Sequence, residues 1–544
     1  MVAKLDWPND GGFDTTYEEQ KPVELIVKGT IPRYAAGVLY RTGPLGYKAE
    51  TDKGTTWAAK HWFDGFSCVH RFQIDFPSAD GEAKVQYRSR RTVDEYLEMV
   101  RTSGKLDAMT FASKRDPCES FFKKVMGMFY SSTDSYNVGV TLSINMPGGG
   151  AQGLGKPPVN GHTNGIQTLH AKTDNSQVKN IDPETLEPRG IAEQDSLHPK
   201  LVGEFSAAHA KSDPISGDLY NFNLKMGRPG TYRIFCNSVS TGETSILATF
   251  TGEPAYIHSL FLTENHVILC VWNSHVSWGG LSLLYHKNIL DAISPFDPSS
   301  HASWYVVDRT NGKGLVATYQ SLPFFSFHSI NAWEEPNATD PTKTDIITEL
   351  SMFENTDVMH RFYYDNLISS IAEPEYAGKK RLSCLPMQAQ FRLASIESAA
   401  GRKTPTPAEL LFQADKMKSM ELPTINPRYL TKRHRFSYGC ADRLKSSFMD
   451  GLVKFDNITQ QSIFWEEKGH TPGEAIFVAD PNGTAEDDGV LLSVVLDGYV
   501  DKSYLLVLDA RNLKEMGRAE MLGPMSFGFH GAYKANDTRY GGDI

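Results

Sequence analysis

Hydrophobic positions in this chain fall into short runs of about four to eight residues, continuous or alternating with polar ones, and most runs end at Asp, Asn or Gly. "HVILCVWN" (266–273), "ASWYVVDRTNGKG" (302–314), "GVLLSVVLDG" (489–498) and "SYLLVLDARNL" (503–513) show the form. Strands bury alternate residues, or both faces when covered twice, and turn residues separate them, so the pattern predicts a mainly β protein. Helical spacing is confined to two regions. One is 94–130, with "DEYLEMV" and "PCESFFKKVMGMFY"; the other lies within 400–420, "GRKTPTPAELLFQADKMKSM". Ser, Thr or Asp starts and early prolines mark both as helical excursions from the β body.

A weak repeat runs through the strands. "IDPETLEPRGIAE" (181–193) and "LDARNLKEMGRAE" (508–520) share Asp, Leu, Gly, Ala and Glu at equal offsets. "VDRTNGKGLVATY" (307–319) and "FDNITQQSIFWEE" (455–467) have the same strand, Asp-led turn, strand form. A hairpin recurring at irregular distance fits the blades of a β-propeller, which closes radially and hides its sheet edges. Two stacked sandwiches are the alternative. The helical excursions then lie over one face of a single ring spanning 1–544, as a cap over an axial site.

Composition narrows the function. Hydrophobic residues at 40% and charged ones at 22%, with 45 Gly and 29 Pro scattered along the chain, describe an ordered protein with a large core. A net charge of −10 argues against a nucleic-acid surface, and the basic run "YLTKRHRF" (429–436) is a solvated turn or strand edge. Six cysteines, at 68, 118, 236, 270, 384 and 440, form no CxxC pair, so neither a zinc site nor a disulfide framework is expected. Reduced cysteines, no apolar leader at the N-terminus and no long apolar window together suggest a soluble, cytoplasmic protein. Contact with a membrane or lipid surface stays open, because 119–130 combines a Phe/Met/Tyr face with lysines. No obligate protein partner is indicated.

Several motifs fail. "GGGAQG" (148–153) matches G-x-G-x-x-G but leads into "LGKPPVNG" and not a helix, so it lacks the geometry that cradles phosphate. HExxH, Walker A and G-x-S-x-G are absent, and none of the sixteen histidines stands two residues before a carboxylate, as the two-His, one-carboxylate iron triad requires. Histidines in apolar β surroundings remain: His209 in "FSAAHAKSDP", His258 and His266 in "AYIHSLFLTENHVIL", His328 in "FFSFHSINAWEE" and His530 in "SFGFHGAYKAND". A buried unpaired imidazole costs about 1–3 kcal/mol, so each must meet a partner. The gap of 49 residues between His209 and His258 is about one blade, and successive blades converge on an axis.

With these residues in view, the chain resembles the carotenoid cleavage oxygenase family over nearly its whole length. The resemblance is carried by "GVLYRTGP" (37–44), "HWFDGFSCVHRFQI" (61–74), "IDPETLEPRG" (181–190), "ELPTINPRY" (421–429), "PGEAIFVADPNGTAEDDGVLLSVVLD" (472–497) and four of the histidine motifs. It implies a seven-bladed propeller with an axial Fe(II) held by His209, His258, His328 and His530 and by no carboxylate. His266 matches no ligand position. It also implies carboxylates behind the ligands: Glu421 for His328, Glu474 for His530, and Asp174 where the family has Glu. Asp reaches about 1.5 Å less, so it meets His258 through a shifted backbone or a water, or leaves that ring unheld.

The implied reaction is O2-dependent scission of one C=C bond into two carbonyls. Stilbene-cleaving members resemble one another in a lysine just before that carboxylate, where this chain has Thr173. An apolar polyene is therefore expected, and the sequence looks most like the fungal branch acting on torulene or a related carotenoid. Cleavage of stilbenes or other phenylpropenoid alkenes is the alternative, followed by a retinoid-type isomerohydrolase and a non-enzymatic propeller module.

Overall fold

The computed structural model describes residues 6–536 apart from 79, 105–108, 114–136, 149–164 and 373–378. The lysine-bearing segment 119–130 and all but the first residue of "GGGAQG" lie outside the described residues.

Strands dominate, in a propeller-like arrangement. Among the described residues, five separate sheets of four or five strands are each laid down in sequence order from first strand to outer edge, the outermost strand of one coming from later in the chain. In one of them Leu219–Lys225, Gly230–Asn237 and Thr244–Gly252 pair antiparallel outward from Lys211–Ser212. The first strands of neighbouring sheets meet around a common centre. His209 and Ser259 form a parallel bridge; Ser259 Oγ donates to the Phe327 carbonyl at 2.8 Å and accepts from the Ser329 amide at 2.9 Å. Strands such as Gly489–Asp497 are buried from Gly489 to Leu496 because packed side chains cover both faces. This explains their continuous apolar runs, and each fully buried Val or Leu contributes about 1.5–3 kcal/mol.

A sixth sheet has ten strands and closes the ring. Val23–Gly29 joins its halves: Ile26 to Gly29 pair with Glu520 to Gly517, while Val23 to Leu25 pair with Tyr87 to Val85. At its other end Gly531–Ala535 pairs with the start of Gly37–Pro44. Residues from both ends of the chain are thus stitched into one sheet.

The helix expected after 94 is present as Asp94–Ser103, with Asp94 and Glu95 in its first turn, Tyr96 and Val100 buried one turn apart, and Gly104 left-handed (φ 68°) at its end. The helical reading of 400–420 does not hold. Thr406–Pro407 pairs parallel with Leu315–Ser321, and Glu409–Gln413 pairs antiparallel with Met387–Leu393; only the single 3-10 turn Lys416–Lys418 follows. Pro405 and Pro407 cannot continue a helix, and open sheet edges offer ladder hydrogen bonds to an extended chain.

Candidate metal centre

Each of four histidines sits at the inner start of a sheet. His209, His258 and His530 precede Lys211–Ser212, Phe261–Leu262 and Gly531–Ala535 by one to three residues, and His328 lies inside Phe325–Pro336. Their ring nitrogens come within 4.8 Å of one another. His530 Nε2 lies 2.9 Å from His209 Nε2 and 3.2 Å from His328 Nε2.

Carboxylates behind the rings decide what those short separations mean. His328 Nδ1 meets Glu421 Oε2, and His530 Nδ1 meets Glu474 Oε1 at 2.7 Å. His258 Nδ1 lies 2.8 and 2.9 Å from the two oxygens of Asp174. An ionised carboxylate only accepts, so these Nδ1 atoms carry the hydrogen, which leaves Nε2 as the atom a neutral ring presents to a metal. Burial pushes His530 down to about 4, only partly offset by Glu474, and holds His209 well below the ordinary value, so both rings are neutral at pH 7. Two inward lone pairs on His328 and His530 repel unless a cation lies between them. Two imidazoles bound at right angles with bonds of about 2.0–2.1 Å, as on zinc, stand about 2.9 Å apart. The geometry of the four histidines, with His209 and His530 neutral, therefore fits a metal ion.

Asp174 reaches His258 directly, without water. Its carbonyl accepts from the Ser206 amide at 3.1 Å, and Asn175 bridges Phe205, so the local backbone is drawn toward the inner strands. Glu474 is held further by Arg41 Nη1 at 2.5 Å and the Gly531 amide at 2.8 Å. Burial pushes the Glu474 carboxyl up, but His530 and Arg41 outweigh it and leave it below the usual range. His266 lies apart from the centre, its Nδ1 2.9 Å from Glu334 Oε1.

A cavity of about 410 Å³ ends on His258, His328 and His530. Trp62, Phe63, Phe111, Phe327, Phe362 and Phe529 line it, and Thr173, Asp174 and Glu421 reach its wall. Among the described lining residues there is no lysine. Residues just before the histidines, Phe327 and Phe529, face this cavity, whereas those just after, Ser329 and Gly531, face a smaller one of about 100 Å³. The two lie on opposite sides of the histidine cluster.

A family model described as retinal pigment epithelial membrane protein matches residues 12–535. A carotenoid dioxygenase of Neurospora crassa is 41% identical over 97% of this chain and 91% of its own. The chain belongs to this carotenoid oxygenase family. A torulene dioxygenase of Gibberella fujikuroi is 42% identical, covering 97% of the chain and 93% of its own. Among solved structures, a cobalt-substituted Synechocystis ACO overlays with a TM-score of 0.73 at 22% identity, covering 98% of this chain and 99% of its own. A variant of the Synechocystis apocarotenoid oxygenase gives a TM-score of 0.72 at 20% identity with the same coverage. These overlays speak to the fold.

Two residues of this family member escaped the sequence reading. Arg41 stands in the "GVLYRTGP" mark, where a charged side chain inside an apolar strand calls for a buried partner. Tyr256 stands two residues before His258, a spacing that puts both side chains on one face of an extended chain.

Proposed function

We propose that this protein is a non-haem Fe(II) dioxygenase that cleaves one C=C bond of a carotenoid, torulene or a close relative, with O2 as co-substrate, giving two carbonyl products. The observation that carries this reading is the convergence of four imidazoles at the end of an aromatic-lined cavity in which no described residue is a lysine. His209, His258, His328 and His530 would hold the Fe(II), which would supply the chemistry of O2 activation beside the polyene. Glu421, Glu474 and Asp174 fix the rings of three of these ligands. Trp62, Phe63 and Phe529 bind the polyene and exclude water, and the depth to which it enters selects the double bond that meets the centre. Thr173 leaves the wall beside Asp174 neutral, which suits a hydrocarbon and offers no cation to a phenolate.

The ten-stranded sheet reads as two blades joined through Val23–Gly29; with the five separate sheets this makes seven. Among the described residues no helix is long and apolar enough to cross a membrane. At the cavity wall Met109 is 40% exposed, and the adjoining Thr110 pairs with Lys287 and Ile289, at the end of the helix Leu281–His286. Trp278 and Leu281, each 56% exposed at the start of that helix, suit transfer of a water-insoluble polyene from a lipid surface.

The test is product analysis by liquid chromatography and mass spectrometry. Fe(II)-loaded protein is given torulene, β-carotene and resveratrol separately under O2. An apocarotenal from torulene is expected, and its mass locates the bond cleaved. Two aromatic aldehydes from resveratrol, with no carotenoid product, would move the protein to the phenolic branch.

A further inference from the structure

Asp174 is a short carboxylate doing a job at the edge of its reach, and its oxygens are allotted to separate donors. Tyr256 Oη donates to Oδ2 at 2.8 Å and stands 3.3 Å from His258 Nδ1. Oδ1 accepts from the Ala208 amide at 3.2 Å. The His258 Nδ1–H lies between the two oxygens, at 2.8 and 2.9 Å. With one donor on each outer side and the imidazole between them, the carboxylate plane has a single orientation, and so has the ring it holds. Tyr256 has no exposed surface and Asp174 is 7% exposed, so bulk solvent has little access to their hydrogen bond.

The same carboxylate reaches a second histidine. The Ala208 amide belongs to the residue before His209, which meets no carboxylate of its own among the described residues, and the His209 amide donates to the His258 carbonyl at 3.1 Å. We infer that Tyr256 is a positioning residue for the metal centre: with Asp174 it forms one clamp that orients the His258 ring directly and the His209 backbone through Ala208. The hydroxyl supplies what the missing methylene takes away, because it fixes a carboxylate that would otherwise turn about its own bond.

The inference rests on the four histidines holding a metal and is independent of the substrate. Its test is Co(II) binding, followed by chelator competition and by the visible spectrum of the bound ion, in wild type, Tyr256→Phe, Asp174→Glu and the double variant. Tyr256→Phe keeps the ring and removes one hydroxyl, so the metal-free melting temperature should move by no more than about one degree. Affinity should fall about tenfold, and the spectrum of the bound ion should change. Asp174→Glu should weaken binding in wild type, where the added methylene crowds the hydroxyl, and restore it in the Tyr256→Phe background, where that space is free. Equal effects of Asp174→Glu in both backgrounds, or wild-type affinity in Tyr256→Phe, would overturn the clamp. A wild-type protein that binds no Co(II) would instead remove the metal-centre reading beneath it.

Discussion

Replacing Glu474 by Gln separates two duties that one side chain performs. Its Oε1 fixes the His530 ring at 2.7 Å, while Oε2 neutralises Arg41 at 2.5 Å and takes the Gly531 amide at 2.8 Å. An amide offers a single acceptor oxygen, so its NH2 must face one of these donors, and the buried Arg41 loses its countercharge in either orientation. Breaking a buried pair from one side costs about 3–5 kcal/mol. A chain of 544 residues carries an unfolding entropy of roughly 1.1 kcal/mol/K, so the metal-free melting temperature should fall by about 3–4 °C. Glu421→Gln is the control. Glu421 Oε2 takes His328 and the Leu422 amide, and no ion pair with a Lys or Arg involves it among the described residues, so about 1–2 °C is expected. Both variants should lose about 10–100-fold in Co(II) affinity. Calorimetry of the metal-free proteins gives the first quantity and chelator competition the second. Adding Arg41→Met to Glu474→Gln should recover most of the melting loss and none of the affinity. Equal melting of the Glu474 and Glu421 variants would refute the assignment of the excess cost to Arg41.

Other consequences can be checked with less. Thr173→Lys places an ammonium beside Asp174 in the cavity wall, where it competes with His258 for the carboxylate; carotenoid turnover should drop at least about tenfold, with less iron retained by metal analysis. Burial pushes Glu334 up, but His266, Thr263 and Asn265 bring it down to about 2 from 4.5. A depressed carboxyl stabilises the fold above its unfolded pKa and loses that contribution as pH falls from 4.5 toward 2. Glu334→Gln should therefore cost about 3 kcal/mol at pH 7, and its gap from wild type in denaturant unfolding should narrow as pH is lowered to 3. Trp278→Asp with Leu281→Asp should weaken co-sedimentation with lipid vesicles while leaving cleavage of detergent-dispersed polyene intact.

Much of the blade structure was written in local pattern. Runs such as 302–319 and 489–513 alternate or stay apolar and break at Asp-led turns, and these turns are those that join Ala302–Asp308 to Leu315–Ser321 and Gly489–Asp497 to Lys502–Asp509. His328 stood out because a lone polar residue in an apolar strand must be paid for by a partner, and the 49-residue gap between His209 and His258 matched about one blade. What was not legible depends on contacts distant in sequence. Glu409–Gln413 lies within the stretch that reads as helical, and only its pairing with Met387–Leu393 makes it a strand. Whether Asp174 could reach His258 turned on the backbone at 205–208, which no spacing rule describes. Tyr256 and Arg41 were visible as residue types, but their partners are distant in sequence, Asp174 by 82 residues and Glu474 by 433.

The pairing of Gly531–Ala535 with Gly37–Pro44 has a consequence in time. During synthesis the chain leaves the ribosome N-terminus first, so His209, His258 and His328 emerge well before His530. The interval between the last two is 202 residues, about 10–40 s at 5–20 residues per second. During that wait three of the four imidazoles exist with Asp174 behind one and, once Glu421 has emerged 93 residues after His328, a carboxylate behind a second. The strand that delivers the fourth imidazole is also the one that pairs with Gly37–Pro44, so ring closure and completion of the coordination sphere are a single event. On the proposed reading, a nascent chain stalled short of residue 530 lacks the fourth imidazole, which would make retained metal a report on synthesis past that residue.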